Sequence, residues 1–180
     1  SMSTALISKE VKLLSHLSHP NIVLMLAIAI SGKYLYVCTE YVDGASLEDI
    51  IFDDECTFVL SEQNKHYIAT QILQAMAYMH SKNIIHQDIK PANILVTKQS
   101  LQTKICDLGI GKLLGNNGTI TSRAPGNPCN PGTPLYMAPE CLMNTGKGSK
   151  ASDMWSTGAT LIELYTGLAY WHVGDRSIRY

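Results

Sequence analysis

The stretch IIHQDIKPANILV, residues 84–96, sets His86, Asp88, Lys90 and Asn93 within eight positions between two aliphatic runs. Isoleucine, leucine and valine at the flanks favour strands packed on a core, whereas the middle is polar and carries a proline. A loop clamped between buried strands is rigid, and a rigid scaffold is what fixes catalytic and binding side chains. The flank NILV and the following TKICDLG read as two short strands separated by the polar turn 97–102, so Asp107 stands at the end of the second. Asp88 and Asn93 lie five residues apart, and with Asp107 they form a set of oxygen donors that can converge at strand ends. Such a set suits a hard cation such as magnesium, which shares its shell with phosphates and water. A separate carboxylate can orient a hydroxyl nucleophile and accept its proton.

Outward from this loop the periodicity is readable in both directions. Upstream, Ser61 caps a helix with the apolar stripe Ile68, Ile72, Ala75, Met76 and Met79, ending near Asn83. Before it, Ile22–Ile30 and Tyr34–Tyr41 read as strands joined by a glycine-containing turn, an antiparallel hairpin whose first strand is buried. Ile7, Val11, Leu14 and Leu17 recur at helical spacing from Ser3 to Leu17, and His19-Pro20-Asn21 stops that helix. Downstream, residues 109–139 are rich in glycine and proline and read as a long irregular segment, followed by a helix capped by Ser152 and stopped at Gly167.

Composition narrows the function classes. The 180 residues are 46% hydrophobic and 16% charged, which suits a globular domain. With 14 basic and 15 acidic residues the net charge is −1, so no basic field holds a nucleic-acid backbone or an anionic membrane. The longest apolar run, residues 22–30, is less than half the roughly 20 residues a spanning helix requires. Five cysteines with no CxxC spacing indicate neither a disulfide framework nor a zinc ribbon, which implies a reduced, cytoplasmic setting.

The motifs together resemble the eukaryotic-type protein kinase domain. HQDIKPAN resembles the catalytic loop HRDLKxxN, DLG resembles DFG, APE at Ala138–Glu140 is unchanged, and HPNIV and SDMWSTG resemble further landmarks in the family's order. The resemblance implies an α+β, two-lobed kinase-like fold, incomplete here, with residues 1–42 as a partial small lobe and hinge and 43–180 as a partial large lobe. It implies ATP-dependent phosphoryl transfer, with magnesium, to serine or threonine hydroxyls of protein substrates. Lys90-Pro91 and Gly132-Thr133 resemble the serine/threonine branch.

Residue by residue, the resemblance implies that Asp88 takes the proton of the substrate hydroxyl, Lys90 steadies the transferring phosphate and Thr133 contacts both. Asn93 and Asp107 would hold magnesium. Glu10 would be the helix glutamate that pairs with a phosphate-anchoring lysine. Thr39 would be the gatekeeper, Glu40 and Val42 would present backbone groups to adenine, and Leu95 would lie beneath the ring. Cys106 would line the nucleotide site and react there with electrophiles. Leu14, Met25, His86 and Leu108 would stack as a spine tied to Asp153.

The chain also departs from the pattern. Gln87 replaces the arginine that binds an activation-loop phosphate, and a neutral amide cannot form that charge-assisted pair. Phosphorylation of Thr119, Thr121 or Ser122 is therefore expected to switch little through this position. No glycine-rich loop or anchoring lysine precedes Glu10, and the later helices are missing, so the chain reads as a fragment, weak or inactive alone and prone to aggregate. The alternative is a pseudokinase or scaffold that binds a regulatory protein partner without phosphotransfer.

Overall fold

The computed structural model describes residues 17–31, 34–56, 58, 60–108, 133–143 and 148–169. The helix expected over Ser3–Leu17 lies outside them except for its last residue. Beyond Pro20 the chain pairs at once with a distant segment. Val23 N–H donates to Ile105 O and Ile105 N–H to Asn21 O, both at 2.9 Å, as a parallel bridge centred on Ile22 and Ile105. This bridge divides the apolar run expected to be a single strand from Ile22.

Strand β1 (Met25–Ser31) therefore starts three residues later than the periodicity suggests, and pairs antiparallel with β2 (Tyr34–Thr39) through an irregularity between Met25 and Ala27. The hairpin is as expected, but its burial is not. Leu26 is 59% and Tyr36 56% exposed, because this sheet has only two strands among the described residues and neither face is fully covered.

The second sheet has the order β3-β4-β5, all antiparallel: β3 (Gly44–Ser46), β4 (Ile94–Thr97) and β5 (Thr103–Ile105). The β4–β5 hairpin matches the sequence reading. Strand β3 and helix α1 (Leu47–Phe52) do not appear in it, since three residues carry no period and six barely exceed one helical turn. Ser46 nevertheless caps α1 reciprocally with Asp49, a signal of the capping-box type.

Helix α2 (Glu62–Ser81) is capped by Ser61 and buries Ile68, Ile72, Ala75, Met76 and Met79 as one stripe. The stripe joins Leu47, Ile84, Ile89, Ile94, Val96 and Ile105 in the core. At about 1.5–3 kcal/mol per buried aliphatic side chain, this stripe is the main local source of stability. Short α3 (Pro139–Leu142) leads to α4 (Lys150–Thr166), which ends at Gly167 in the left-handed conformation, φ 68°. The cap of α4 is Ser149, not Ser152. Ser149 accepts the Ser152 N–H and Ser152 Oγ accepts the Ser149 N–H, so Ser152 is the third helical residue of the box.

A buried polar network closes the core. Asn21 Nδ2 donates to Gln71 Oε1 at 2.8 Å and to Thr103 O at 2.9 Å, Thr103 N–H donates to the same Oε1 at 2.9 Å, and Gln71 Nε2 donates to Leu101 O at 3.0 Å. No helix among the described residues is long and apolar enough to cross a membrane. Cys38, Cys56 and Cys106 are free, whereas Cys141 is disulfide-bonded, contrary to the reduced set expected from spacing alone.

Candidate active site

The polar loop between Ile85 and Ile94 is held from below by α4. Buried Asp153 accepts the His86 N–H at 2.7 Å through Oδ2 and the Gln87 N–H at 2.8 Å through Oδ1. His80, in the last turn of α2, lies with Nε2 3.0 Å from the same Oδ2. These bonds fix a backbone that Gln87 adopts at φ 67°, the left-handed region that costs a side-chain-bearing residue energy. His86 is fully buried, with Nε2 3.1 Å from Cys106 O and Nδ1 3.3 Å from the Asp88 N–H. A carbonyl only accepts and an N–H only donates, so the ring is the neutral tautomer protonated on Nε2.

Asp88 is consequently aimed by its neighbours. Its Oδ1 accepts the Thr133 N–H at 3.1 Å and the Thr133 hydroxyl at 3.3 Å, and its Oδ2 accepts Asn93 Nδ2 at 3.1 Å. Lys90 Nζ stands 3.6 Å from Oδ2 and donates to Thr133 Oγ1 at 2.7 Å. Asp88, Lys90, Asn93 and Thr133 thus meet in space, although Thr133 lies 45 positions from Asp88 in sequence. A one-turn 3-10 helix, Pro91–Asn93, carries the chain from Lys90 into β4 and puts Asn93 beneath Asp88, donating also to the Asp88 carbonyl at 2.8 Å.

The second strand end joins this group through the backbone, with Cys106 N–H donating to Asn93 O at 2.9 Å. Asp107 follows at φ 51° and is exposed, while Leu108 turns back into the core at 8% exposure. Asn93 spends its amide nitrogen on Asp88, so the end left for a cation is the oxygen Oδ1. That oxygen and the Asp107 carboxylate are hard donors of the kind magnesium takes, so the residues present fit such an ion. Burial, reinforced by the neighbouring Asp107 charge, pushes the Cys106 thiol up to about 11. The environment therefore works against the electrophile reactivity expected of Cys106.

Thr39 ends β2 and is exposed; Val42 is half-buried in the connection to β3; Leu95 is half-buried in β4 and registers with Ser46 and Lys104. Met25 packs against the core cluster that contains Leu108. Glu10 and Leu14, like Thr119, Thr121 and Ser122, lie outside the described residues.

Glu40 does more than the sequence reading assigned to it. Its N–H donates to Leu24 O at 2.9 Å, and its Oε1 accepts the Leu24 N–H at 2.8 Å and Lys104 Nζ at 2.7 Å. Burial raises its carboxyl, but the Lys104 hydrogen bond, the Leu24 N–H and the Lys104 charge outweigh that and leave it below its ordinary value. Sequence reasoning missed Lys104, whose signal was available: it alternates with Thr103 and Ile105, both buried, so it points to the other face of β5. Also missed was the buried pair in which Tyr136 Oη donates to Glu163 Oε2 at 2.9 Å. A glutamate inside the apolar run of α4 was its cue.

The chain is similar to known proteins along most of its length. The family model described as the protein kinase domain matches residues 1–180. The serine/threonine-protein kinase TIO of Arabidopsis thaliana is 38% identical over 159 residues, 88% of this chain and 11% of its own length. Mitogen-activated protein kinase kinase kinase 2 of the same plant is 38% identical over 92% of this chain and 24% of its own. CBL-interacting protein kinase 1 of Oryza sativa subsp. japonica is 35% identical over 96% and 35% respectively. The chain thus spans from about a tenth to about a third of these relatives. With the family model matched along its whole length and its catalytic-loop side chains gathered around one buried carboxylate, the chain belongs to the protein kinase domain family.

Proposed function

We propose that the protein containing this chain transfers the γ-phosphoryl group of ATP to serine or threonine hydroxyls of protein substrates. The observation that carries this reading is the convergence of Lys90, Asn93 and Thr133 on the Asp88 carboxylate. Asp88 takes the proton as the substrate oxygen bonds to phosphorus and the bond to the ADP oxygen breaks. Lys90, poised between Thr133 and Asp88, offers its charge to the transferring oxygens. Thr133 seats the incoming segment by binding Asp88 through both its N–H and its hydroxyl. Phosphoryl transfer asks little covalent work of the protein, so positioning and charge neutralisation carry most of the rate.

Asn93 and Asp107 would hold magnesium, which when bound neutralises charge on the nucleotide phosphates. Glu40 and Val42 offer backbone groups to adenine, Leu95 packs under the ring, and Thr39 and Cys106 line the back of the nucleotide site. Glu10 would anchor the lysine that grips the phosphates. In this reading residues 1–42 belong to the small lobe with the hinge, and residues 43–180 to the large lobe. The rice relative is named for an interaction with CBL, and a regulatory protein partner of some kind is part of the reading for this chain too.

Titration calorimetry of ATP with and without magnesium tests the nucleotide half of this reading, using the natural full-length protein. Magnesium is expected to tighten binding, and Asp107→Asn to abolish that dependence while the protein remains folded. Binding that ignores magnesium in the unsubstituted protein would contradict the assignment and favour a pseudokinase scaffold.

A further inference from the structure

Thr133 reaches Asp88 from the segment that leads into α3, 45 positions along the chain. A one-turn 3-10 helix, Pro134–Tyr136, follows it, and so short a turn carries little stability of its own. Thr133 does not cap that turn with its side chain; its hydroxyl is spent on Asp88 and Lys90 instead. What holds the turn is Tyr136. Its N–H donates to Thr133 O at 3.0 Å, its hydroxyl donates to Glu163 Oε2 at 2.9 Å, and its carbonyl accepts the Ser156 hydroxyl at 2.6 Å. Tyr136, Ser156 and Glu163 are all buried, so these bonds form away from water, where losing one is costly.

We infer that Tyr136 is a positioning residue for the Asp88 site: gripped by α4 at both its hydroxyl and its carbonyl, it sets where Thr133 stands against the Asp88 carboxylate. The same helix holds the other side of that contact. Asp153 accepts the His86 and Gln87 N–H groups at 2.7 and 2.8 Å, and so fixes the loop that carries Asp88. At 3.6 residues per turn Asp153, Ser156 and Glu163 fall on one side of α4. Both partners of the Asp88–Thr133 contact are thereby referenced to one rigid element. Bonds of 3.1 and 3.3 Å to the carboxylate leave little room for displacement, because hydrogen bonds weaken steeply as their geometry degrades.

A phenylalanine would fill the same space, so packing does not require the hydroxyl; the bond to Glu163 does. The path from that bond to the reacting group is short. It runs from Tyr136 N–H to Thr133 O and from Thr133 N–H to Asp88 Oδ1. A tyrosine that served only the core would stabilise the fold without changing how Thr133 meets Asp88, and the two roles separate by experiment. The effect on turnover rests on the phosphotransfer reading, whereas the seating of Thr133 does not.

Residue-resolved hydrogen exchange on the natural full-length protein, unsubstituted and as Tyr136→Phe and Ser156→Ala, tests the seat directly. The Thr133 amide should lose protection by about tenfold or more in both variants, while the Leu164 amide inside α4 keeps its own. Unchanged protection at Thr133 would overturn the assignment, and so would equal losses at both amides, the mark of a general loss of stability. In steady-state phosphate transfer Tyr136→Phe should lower kcat by about tenfold and leave KM for ATP unchanged, because misplacement at the reacting centre is a loss of orientation. An unchanged kcat, or a raised KM at constant kcat, contradicts the role. If the unsubstituted protein binds nucleotide but transfers no phosphate, the phosphotransfer reading fails and exchange at Thr133 decides the positioning by itself. Ser156→Ala leaves the tyrosine intact, so it carries the test if Tyr136→Phe does not fold.

Discussion

At the scale of single residues the site is a set of polar groups each assigned one role by geometry. His86 is neutral because both ring nitrogens are engaged, one donating and one accepting, and Asp88 is aimed because three neighbours bind its carboxylate. Cys106 illustrates how environment overrides position. With its thiol raised to about 11, only about one thiol in 10⁴ is ionised at neutral pH, and the thiolate is the nucleophile. Peptide mapping after brief alkylation at pH 7 should find exposed Cys38 modified well before Cys106, with Cys106 labelling rising steeply toward pH 11; fast labelling of Cys106 at pH 7 would contradict this. Gln87 leads to a second expectation. Its amide is buried against Gly148, so phosphorylating Thr119, Thr121 or Ser122 should change turnover less than about threefold through this position; a tenfold gain, about 1.4 kcal/mol of barrier, would refute it.

At the scale of elements, what the sequence made legible was periodicity and what it hid was tertiary. The α2 stripe, the two hairpins and the ends of α4 near Ser149 and Gly167 follow from local pattern and capping chemistry. The division of residues 22–30 could not be read locally, because Ile22 leaves the hairpin to bridge Ile105, 83 positions away. The four side chains of the catalytic loop were legible from spacing and resemblance; Lys104 was not, since its partner Glu40 lies outside its own sheet. Two stability predictions belong here. Gly44→Ala would put a Cβ 2.1 Å from Val96 O, a clash with backbone that cannot yield without opening the β3–β4 ladder, so urea unfolding should register a loss of about 2 kcal/mol or more. Gln71→Leu leaves Asn21 Nδ2 and the Thr103 N–H without their shared acceptor, and should cost about 2–4 kcal/mol at nearly constant volume; a loss under 0.5 kcal/mol in either variant would show the site relaxes freely.

At the scale of the whole molecule, the hairpin is attached to the rest of the described structure at Asn21–Val23 and through Glu40. The Glu40–Lys104 pair is 28% and 13% exposed and contributes on the order of 1 kcal/mol. Because the Glu40 carboxyl is depressed in the folded protein, its contribution is present above the ordinary value of 4.5 and lost as pH falls through the depressed one. Lys104→Met should therefore lower the melting temperature at pH 6, and the gap to the unsubstituted protein should close below pH 4; a constant gap would show that packing, not charge, is lost. Leu26, Tyr34, Tyr36 and Tyr41 on and after the hairpin, and Met143, Trp155 and Ile162 around α3 and α4, are exposed, so the 180-residue chain should self-associate in light scattering as its concentration rises. The account stands or falls on the carboxylate at its centre. Transfer of labelled phosphate from ATP with magnesium to a generic protein substrate, by the natural full-length protein and by Asp88→Asn, should show turnover that the substitution reduces by about 10² to 10⁴. Turnover unchanged by Asp88→Asn, or none from a folded protein that binds nucleotide, would contradict it.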